Sequence, residues 1–331
     1  MYLLTVFIFK YRHNAVIIMK SSRTILILIA GILLGAITTA GVTALQPTHQ
    51  TEKLVIAVQP TLAAATILEQ AKPLESYLEA KLGVDVEIYV PTSYAAVVEA
   101  MRRGHADAAL MGAWPAYLAW KIGGADVVLA EIREVNVGDT LVNSTSYYSY
   151  WVVPYDSEIN SLEDLRGRTV ALPSPISTSG YVAPLAKLVE KGLVQVREGR
   201  EADPSAFFKI AFVGGYAQAW EALKNGNVDA IVIAGDIPEK LYREVLSNTR
   251  VIETQGPIPS HAVVFSKELK EPLRTRLLEA FIALGEERPD LMKNFVSALF
   301  TGFQRTTAEK HLADLEHYIQ ITNLKYSEKL G

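Results

Sequence analysis

Apolar positions along this chain fall into two rhythms. Short runs such as Leu54-Val55-Ile56-Ala57-Val58 read as central strands, and longer stretches with apolar residues three or four apart, such as the one through Leu74, Tyr77 and Leu78, read as helices. With Gly83 introducing a further strand over 84–90, the chain opens in a β-α-β order. Strands are also predicted at 108–111, 127–132, 150–153, 169–172, 210–213, 229–233 and 261–265, with helices between many of them. That alternation predicts α/β sheets rather than a sandwich. Mixed-polarity stretches over 269–291 and 307–324 read as helices that cover the first lobe and meet a partner surface.

One pattern occurs twice. Tyr94 to Ala108 lines up without gaps on Tyr216 to Ala230, sharing the tyrosine, an internal Glu-Ala pair (Glu99-Ala100, Glu221-Ala222), a glycine (Gly104, Gly226) and an Asp-Ala pair (Asp107-Ala108, Asp229-Ala230). Each copy reads as a tyrosine opening a helix, a glycine ending it, and a strand beyond, so two similar α/β lobes are expected. Asp107 and Asp229 are assigned to the turns, through bonds to backbone. Tyr94 and Tyr216 follow strands, at the edge where α/β sheets bind ligands, and either donate a hydroxyl to an anion there or pack in the core. Past the second copy lies Asp236, at the position Trp114 holds in the first; tryptophan suits a cleft wall, and aspartate an orienting acceptor for a hydroxyl, an amine or a bound proton.

The N-terminus has its own pattern. A basic lead, Lys20-Ser21-Ser22-Arg23, precedes an uncharged, largely apolar stretch from Thr24 to Leu45. Roughly 20 such residues span a bilayer, and the basic flank stays cytoplasmic. The reading is therefore a cytoplasmic or overextended start over 1–23 (from Met1 or Met19), an anchor over 24–45 or a signal segment cleavable near Ala40 and Ala44, and a linker over 46–51. Everything later is expected outside the cytoplasm.

The 331 residues, half of them apolar, can supply two cores. A net charge of -4, spread along the chain, gives no footprint for nucleic acid. The absence of cysteine excludes disulfides, thiolate catalysis and iron–sulfur ligation. No His-Glu-x-x-His or Walker spacing occurs, so no metal or cofactor is expected. A hydrolase using Ser179, His261 and Asp236 is the enzymatic alternative, but Gly-x-Ser-x-Gly is missing.

Candidate chemistry concentrates in Pro173-Ser174-Pro175-Ile176-Ser177-Thr178-Ser179-Gly180, between the 169–172 strand and a helix over 181–191. Hydroxyls at a helix entrance either cap its free N–H groups or join them in holding an anion. Together with Pro91-Thr92-Ser93-Tyr94, Tyr147-Tyr148-Ser149, the Ile159 to Leu165 stretch and Pro257-Ile258-Pro259, this segment makes the region from Thr51 to about Gly302 resemble the phosphate/phosphite/phosphonate-binding proteins of ABC importers. The resemblance implies a type II periplasmic-binding-protein fold. Lobe one would comprise 52–146 and 257–331, lobe two 147–256, with two crossovers and a central cleft.

It further implies that Tyr94 and Tyr147 reach a small phosphorus oxyanion from one side and Ser177, Thr178 and Ser179 from the other. Partners would be an ABC permease with its ATPase, and the membrane through the N-terminal segment; the chain would not be an enzyme. The departures bear on substrate. Tyr216 stands where aminoalkylphosphonate binders similar to this chain often carry histidine, Asp236 matches an acidic ligand-binding position, and His261 replaces an aspartate or serves the hinge. These favour phosphate, phosphite or a simple alkylphosphonate over aminoethylphosphonate. A membrane-anchored sensor of the same fold is the other reading.

Overall fold

The computed structural model describes residues 53–59, 64–295 and 299–325. The extension, anchor or signal, and linker expected over 1–51 lie outside the described residues, and within them no helix is long and apolar enough to cross a membrane.

Strand β1 (Lys53–Val58) sends Leu54, Ile56 and Val58 into one core and Ala57 into another, so its sheet is covered on both faces. Helix α1 (Ala64–Leu82) covers the first face with Ile67, Leu74 and Leu78. The chain continues through β2 (Asp85–Tyr89), α2 (Tyr94–Arg102), β3 (Ala108–Met111), α3 (Ala113–Gly123), β4 (Asp126–Val137) and β5 (Thr140–Ser144). It then enters the second lobe with β6 (Ser146–Pro154) and β7 (Thr169–Leu172). A π-helical turn at Thr178–Val182 leads into α4 (Ala183–Glu190), followed by β8 (Lys209–Phe212), α5 (Tyr216–Lys224), β9 (Ala230–Ala234), α6 (Glu239–Asn248) and β10 (Thr249–Pro259). The chain returns with β11 (Ala262–Phe265), α7 (Leu273–Glu287), α8 (Pro289–Phe295) and β12 (Phe300–Arg305).

The first sheet has the order β12-β4-β11-β3-β1-β2, with β5 beside β4; the second is β10-β6-β9-β7-β8. In both, three parallel strands share one arrangement: β1 lies between β2 and β3, and β7 lies between β8 and β9. Helices α2 and α5 make the equivalent crossovers, so the doubled sequence pattern is a doubled β-α-β unit. Its two aspartates reach across to the neighbouring strand. Asp107 Oδ2 accepts from the Val55 N–H at 2.8 Å, and Asp229 Oδ2 from the Thr169 N–H at 2.7 Å. Each carboxylate thereby registers the neighbouring parallel strand.

The tail expected over the first lobe follows a divided course. β12 completes the first sheet, but after α9 (Ala308–His311) helix α10 (Ala313–Thr322) packs against α4 and β10 of the second lobe as well as α3 of the first. Tyr318 donates to the Pro257 carbonyl at 3.1 Å, and the Ala202 N–H donates to Thr322 O at 2.8 Å. The reason is apolar cover: Leu315, Tyr318 and Ile319 are buried there.

A candidate anion-binding cleft

The first residues of four helices face one cleft of about 240 Å³. Tyr94 opens α2, Gly112 to Pro115 open α3, Ser177 to Ser179 open the π-helical turn, and Tyr216 opens α5. Helix starts carry unsatisfied N–H groups and the positive end of the peptide dipoles, so four of them give a positive field without a cationic side chain. Among the described residues lining the cleft there is no lysine or arginine. Its volume lies below the roughly 300–1,000 Å³ of sites for drug-sized ligands, which suits a solute of a few heavy atoms.

Local sequence places each group. Ser93 caps α2, its Oγ accepting from the Ala96 N–H at 3.1 Å, and this fixes Tyr94 as the first helical residue. Gln59, buried past the end of β1, accepts from the Gly112 N–H at 2.6 Å and so holds the start of α3. Ser177 caps the π-helical turn by accepting from the Gly180 N–H at 2.9 Å, which leaves the hydroxyl proton of Ser177 available to another acceptor. Only glycine fits next: a Cβ at Gly180 would lie 2.7 Å from Pro173 Cγ and 2.9 Å from Ser177 Oγ.

Ser179, Tyr147 and Tyr216 form a hydroxyl chain, buried at Tyr147 and Ser179 and half-buried at Tyr216. Tyr147 donates to Ser179 Oγ at 3.2 Å, and Ser179 Oγ and the Tyr216 hydroxyl share a bond of 2.7 Å. Burial, then the charge of Asp236, raises the pKa of both phenols, and burial alone raises that of Tyr94. All three therefore stay protonated at neutral pH and can donate.

All eight residues singled out in the sequence line this cleft: Tyr94, Tyr147, Ser177, Thr178, Ser179, Tyr216, Asp236 and His261. Tyr94 and His261 come from the first lobe and the other six from the second. Tyr147, expected beside Tyr94 and opposite the serines, instead projects from β6 on the serine side.

Sequence reasoning missed Gln59 and a buried charge network. Arg133 on β4 reaches Asp236 Oδ2 with Nη1 at 3.2 Å and forks Nε and Nη2 onto Glu131 Oε2 at 2.9 and 2.7 Å. The available signal was Glu131-Ile132-Arg133, opposite charges two apart and so on one face of a strand whose first half is largely apolar. Burial raises the pKa of Asp236, opposed by Arg133 and by the Tyr147 hydroxyl. Burial, then Arg133 and His311, holds His261 well below the usual histidine range, so its ring is neutral at pH 7.

Two α/β lobes facing across a small cleft lined by helix starts define a solute-binding protein of the periplasmic type. The family model described as "ABC transporter, phosphonate, periplasmic substrate-binding protein" matches residues 56–311, and the chain belongs to that family. It is 34% identical over 181 residues to the phosphate-import protein PhnD of Mycolicibacterium smegmatis, an alignment covering 54% of this chain and 54% of that one, about half the length of each. It is 26% identical over 254 residues to the phosphonates-binding periplasmic protein of Escherichia coli, covering 74% and 70%. Among solved structures, a binding-protein component of an ABC phosphonate transporter from Pseudomonas aeruginosa aligns with TM-score 0.62 at 20% identity, over 85% of this chain and 91% of that one. PhnD1 from Prochlorococcus marinus, in complex with methylphosphonate, aligns at 0.60 and 17% identity, over 82% and 98%. These two likenesses establish the fold.

Proposed function

We propose that this protein captures phosphate, phosphite or a simple alkylphosphonate outside the cytoplasm and presents it to an ABC permease, with no covalent change to the ligand. The observation that carries this reading is the convergence of four helix starts and their hydroxyls on a cleft that, among the described residues, is lined by no lysine or arginine. Tyr94 on one lobe and Ser177, Thr178, Ser179 and Tyr216 on the other supply donors to a tetrahedral oxyanion, with Tyr147 donating to Ser179 Oγ behind them. Closure of the lobes removes water and completes the donor set, and the closed form is what the permease reads. The segment 24–45 would tether the protein to the membrane or direct its export.

Asp236 adds selectivity. Its carboxylate accepts a hydrogen bond from a ligand P–OH, which phosphate, phosphite and alkylphosphonates retain near neutral pH. Sulfate has no such proton, and like-charge juxtaposition costs several kcal/mol.

Calorimetry of the purified protein with phosphate, phosphite, methylphosphonate and sulfate tests this. At least one phosphorus ligand should bind roughly a hundredfold more tightly than sulfate, a difference of about 2.8 kcal/mol. Ser177→Ala and Tyr94→Phe should each weaken it by about tenfold or more, the range for a hydrogen bond to a charged group. Equal affinity for sulfate, or no phosphorus ligand bound, overturns the proposal.

A further inference from the structure

Arg133 does not line the cleft, yet it is paired with Asp236, the one aspartate that does among the described residues. It lies on β4 of the first sheet and Asp236 follows β9 of the second, so their 3.2 Å ion pair joins the two lobes. The Arg133 and Glu131 side chains are 4% and 0% exposed, and the Asp236 side chain 12%. Burial works against the guanidinium charge, but Glu131 and Asp236 outweigh it and raise the Arg133 pKa. The Asp236 carboxylate therefore has a permanent cation supplied by the protein itself.

A ligand ammonium would need acceptors for three N–H donors. Among the described residues the cleft lining has one carboxylate, Asp236, and its Oδ2 is already engaged by Arg133, which leaves Oδ1 and neutral groups as the acceptors. Gln59 Oε1 holds the Gly112 N–H, and Glu131 Oε2 takes both arms of the Arg133 fork outside the lining. A ligand ammonium reaching Asp236 would also meet the guanidinium charge on the same carboxylate.

We infer that Arg133 is a specificity-determining residue that holds the cationic place beside Asp236, so that the cleft accepts phosphate, phosphite and alkylphosphonates and rejects aminoalkylphosphonates. This rests on the reading of the cleft as a site for phosphorus oxyanions. Arg133 acts through Asp236, as a positioning residue that need not touch the ligand.

The test compares ethylphosphonate with aminomethylphosphonate, which have the same number of heavy atoms and differ by methyl against ammonium. Calorimetry on the wild type should show ethylphosphonate preferred by at least about tenfold, the equivalent of 1.4 kcal/mol. Arg133→Lys keeps the charge and should keep the preference. Arg133→Met should narrow or reverse it by about tenfold or more, within the range of measured couplings between close charges. Should Arg133→Met fail to fold because it strands two buried carboxylates, the double variant Arg133→Met with Glu131→Gln removes the pair together and carries the same expectation. Wild-type protein that binds the two ligands equally, or a ratio unmoved by loss of the guanidinium, overturns the role of Arg133. Wild-type protein that binds neither these nor phosphate or phosphite overturns the reading of the cleft itself.

Discussion

Acidification should weaken this fold through two imidazoles, His261 half-buried at the cleft and His311 buried beside it. His261 precedes β11, and His311 ends α9, with its Nε2 3.0 Å from the Ser260 carbonyl oxygen. Burial first, then Arg133 and His311, lowers the pKa of His261; burial lowers that of His311, opposed by the Ser260 contact. In the unfolded chain each ring takes a proton near pH 6.5, whereas in the folded chain each stays neutral to a lower pH. Between those points the unfolded state binds more protons, so stability is retained above about 6.5 and lost as pH falls. Each such group contributes a slope of up to about 1.4 kcal/mol per pH unit, and the two together about 2.7. Carboxylates with lowered pKa values, such as Glu287, act in the same direction, so the diagnostic quantity is the difference between proteins. Urea unfolding of ligand-free protein from pH 5.5 to 7.5, followed by tryptophan fluorescence, should give shallower slopes for His261→Gln and His311→Gln, and the shallowest for the double variant. Parallel curves for wild type and double variant would refute the assignment of both rings as neutral in the folded state.

Three further perturbations address the cleft and its frame. Gly180→Ala places a methyl against Pro173 and the Ser177 cap, and should cost about 1–3 kcal/mol in unfolding free energy along with phosphate affinity; an unchanged melt and titration would contradict the packing. Asp107→Ala and Asp229→Ala each strand a backbone N–H of the adjacent strand, and each should cost about 1–3 kcal/mol in urea unfolding, with widely different costs arguing against equivalent roles. Tyr216→Phe removes one partner of Ser179 and one donor facing the cleft, so phosphate should bind about tenfold or more weakly while the melting temperature stays near that of wild type; undiminished affinity would remove Tyr216 from the binding set.

Central strands were legible because sheets covered on both faces leave apolar runs: the predicted 108–111 and 169–172 coincide with β3 and β7. The strands that escaped notice lie away from the sheet centres. β10, at the edge of the second sheet, carries Gly256-Pro257 and Pro259 and shifts register twice, and an edge tolerates the proline that a central strand would not. β12, an edge of the first sheet, contains Gly302, and β5 is a polar strand paired to β4. In the cleft, hydroxyls at helix starts announce themselves locally, because the cap and the ligand donor share one short segment. The Arg133–Asp236 pair does not, since 103 positions separate partners that meet only when the lobes come together. The helix expected over 181–191 begins earlier, at Thr178, because the π-helical turn draws the hydroxyls into its own first residues. The break between α7 and α8 falls where Pro289 follows Arg288.

Helix α10 alters what motion the molecule can make. It is bonded to the second lobe through Tyr318 and Thr322, and ties to Lys121 of the first through Glu316 at 2.7 Å. The lobes are thus stitched by three passes of backbone rather than two, and a jaw stitched that way can swing about its seam but cannot gape freely. Cutting the chain after Thr306 would accordingly do more than trim an end: it would uncover the apolar flank of α4 and β10 and unpick the third stitch.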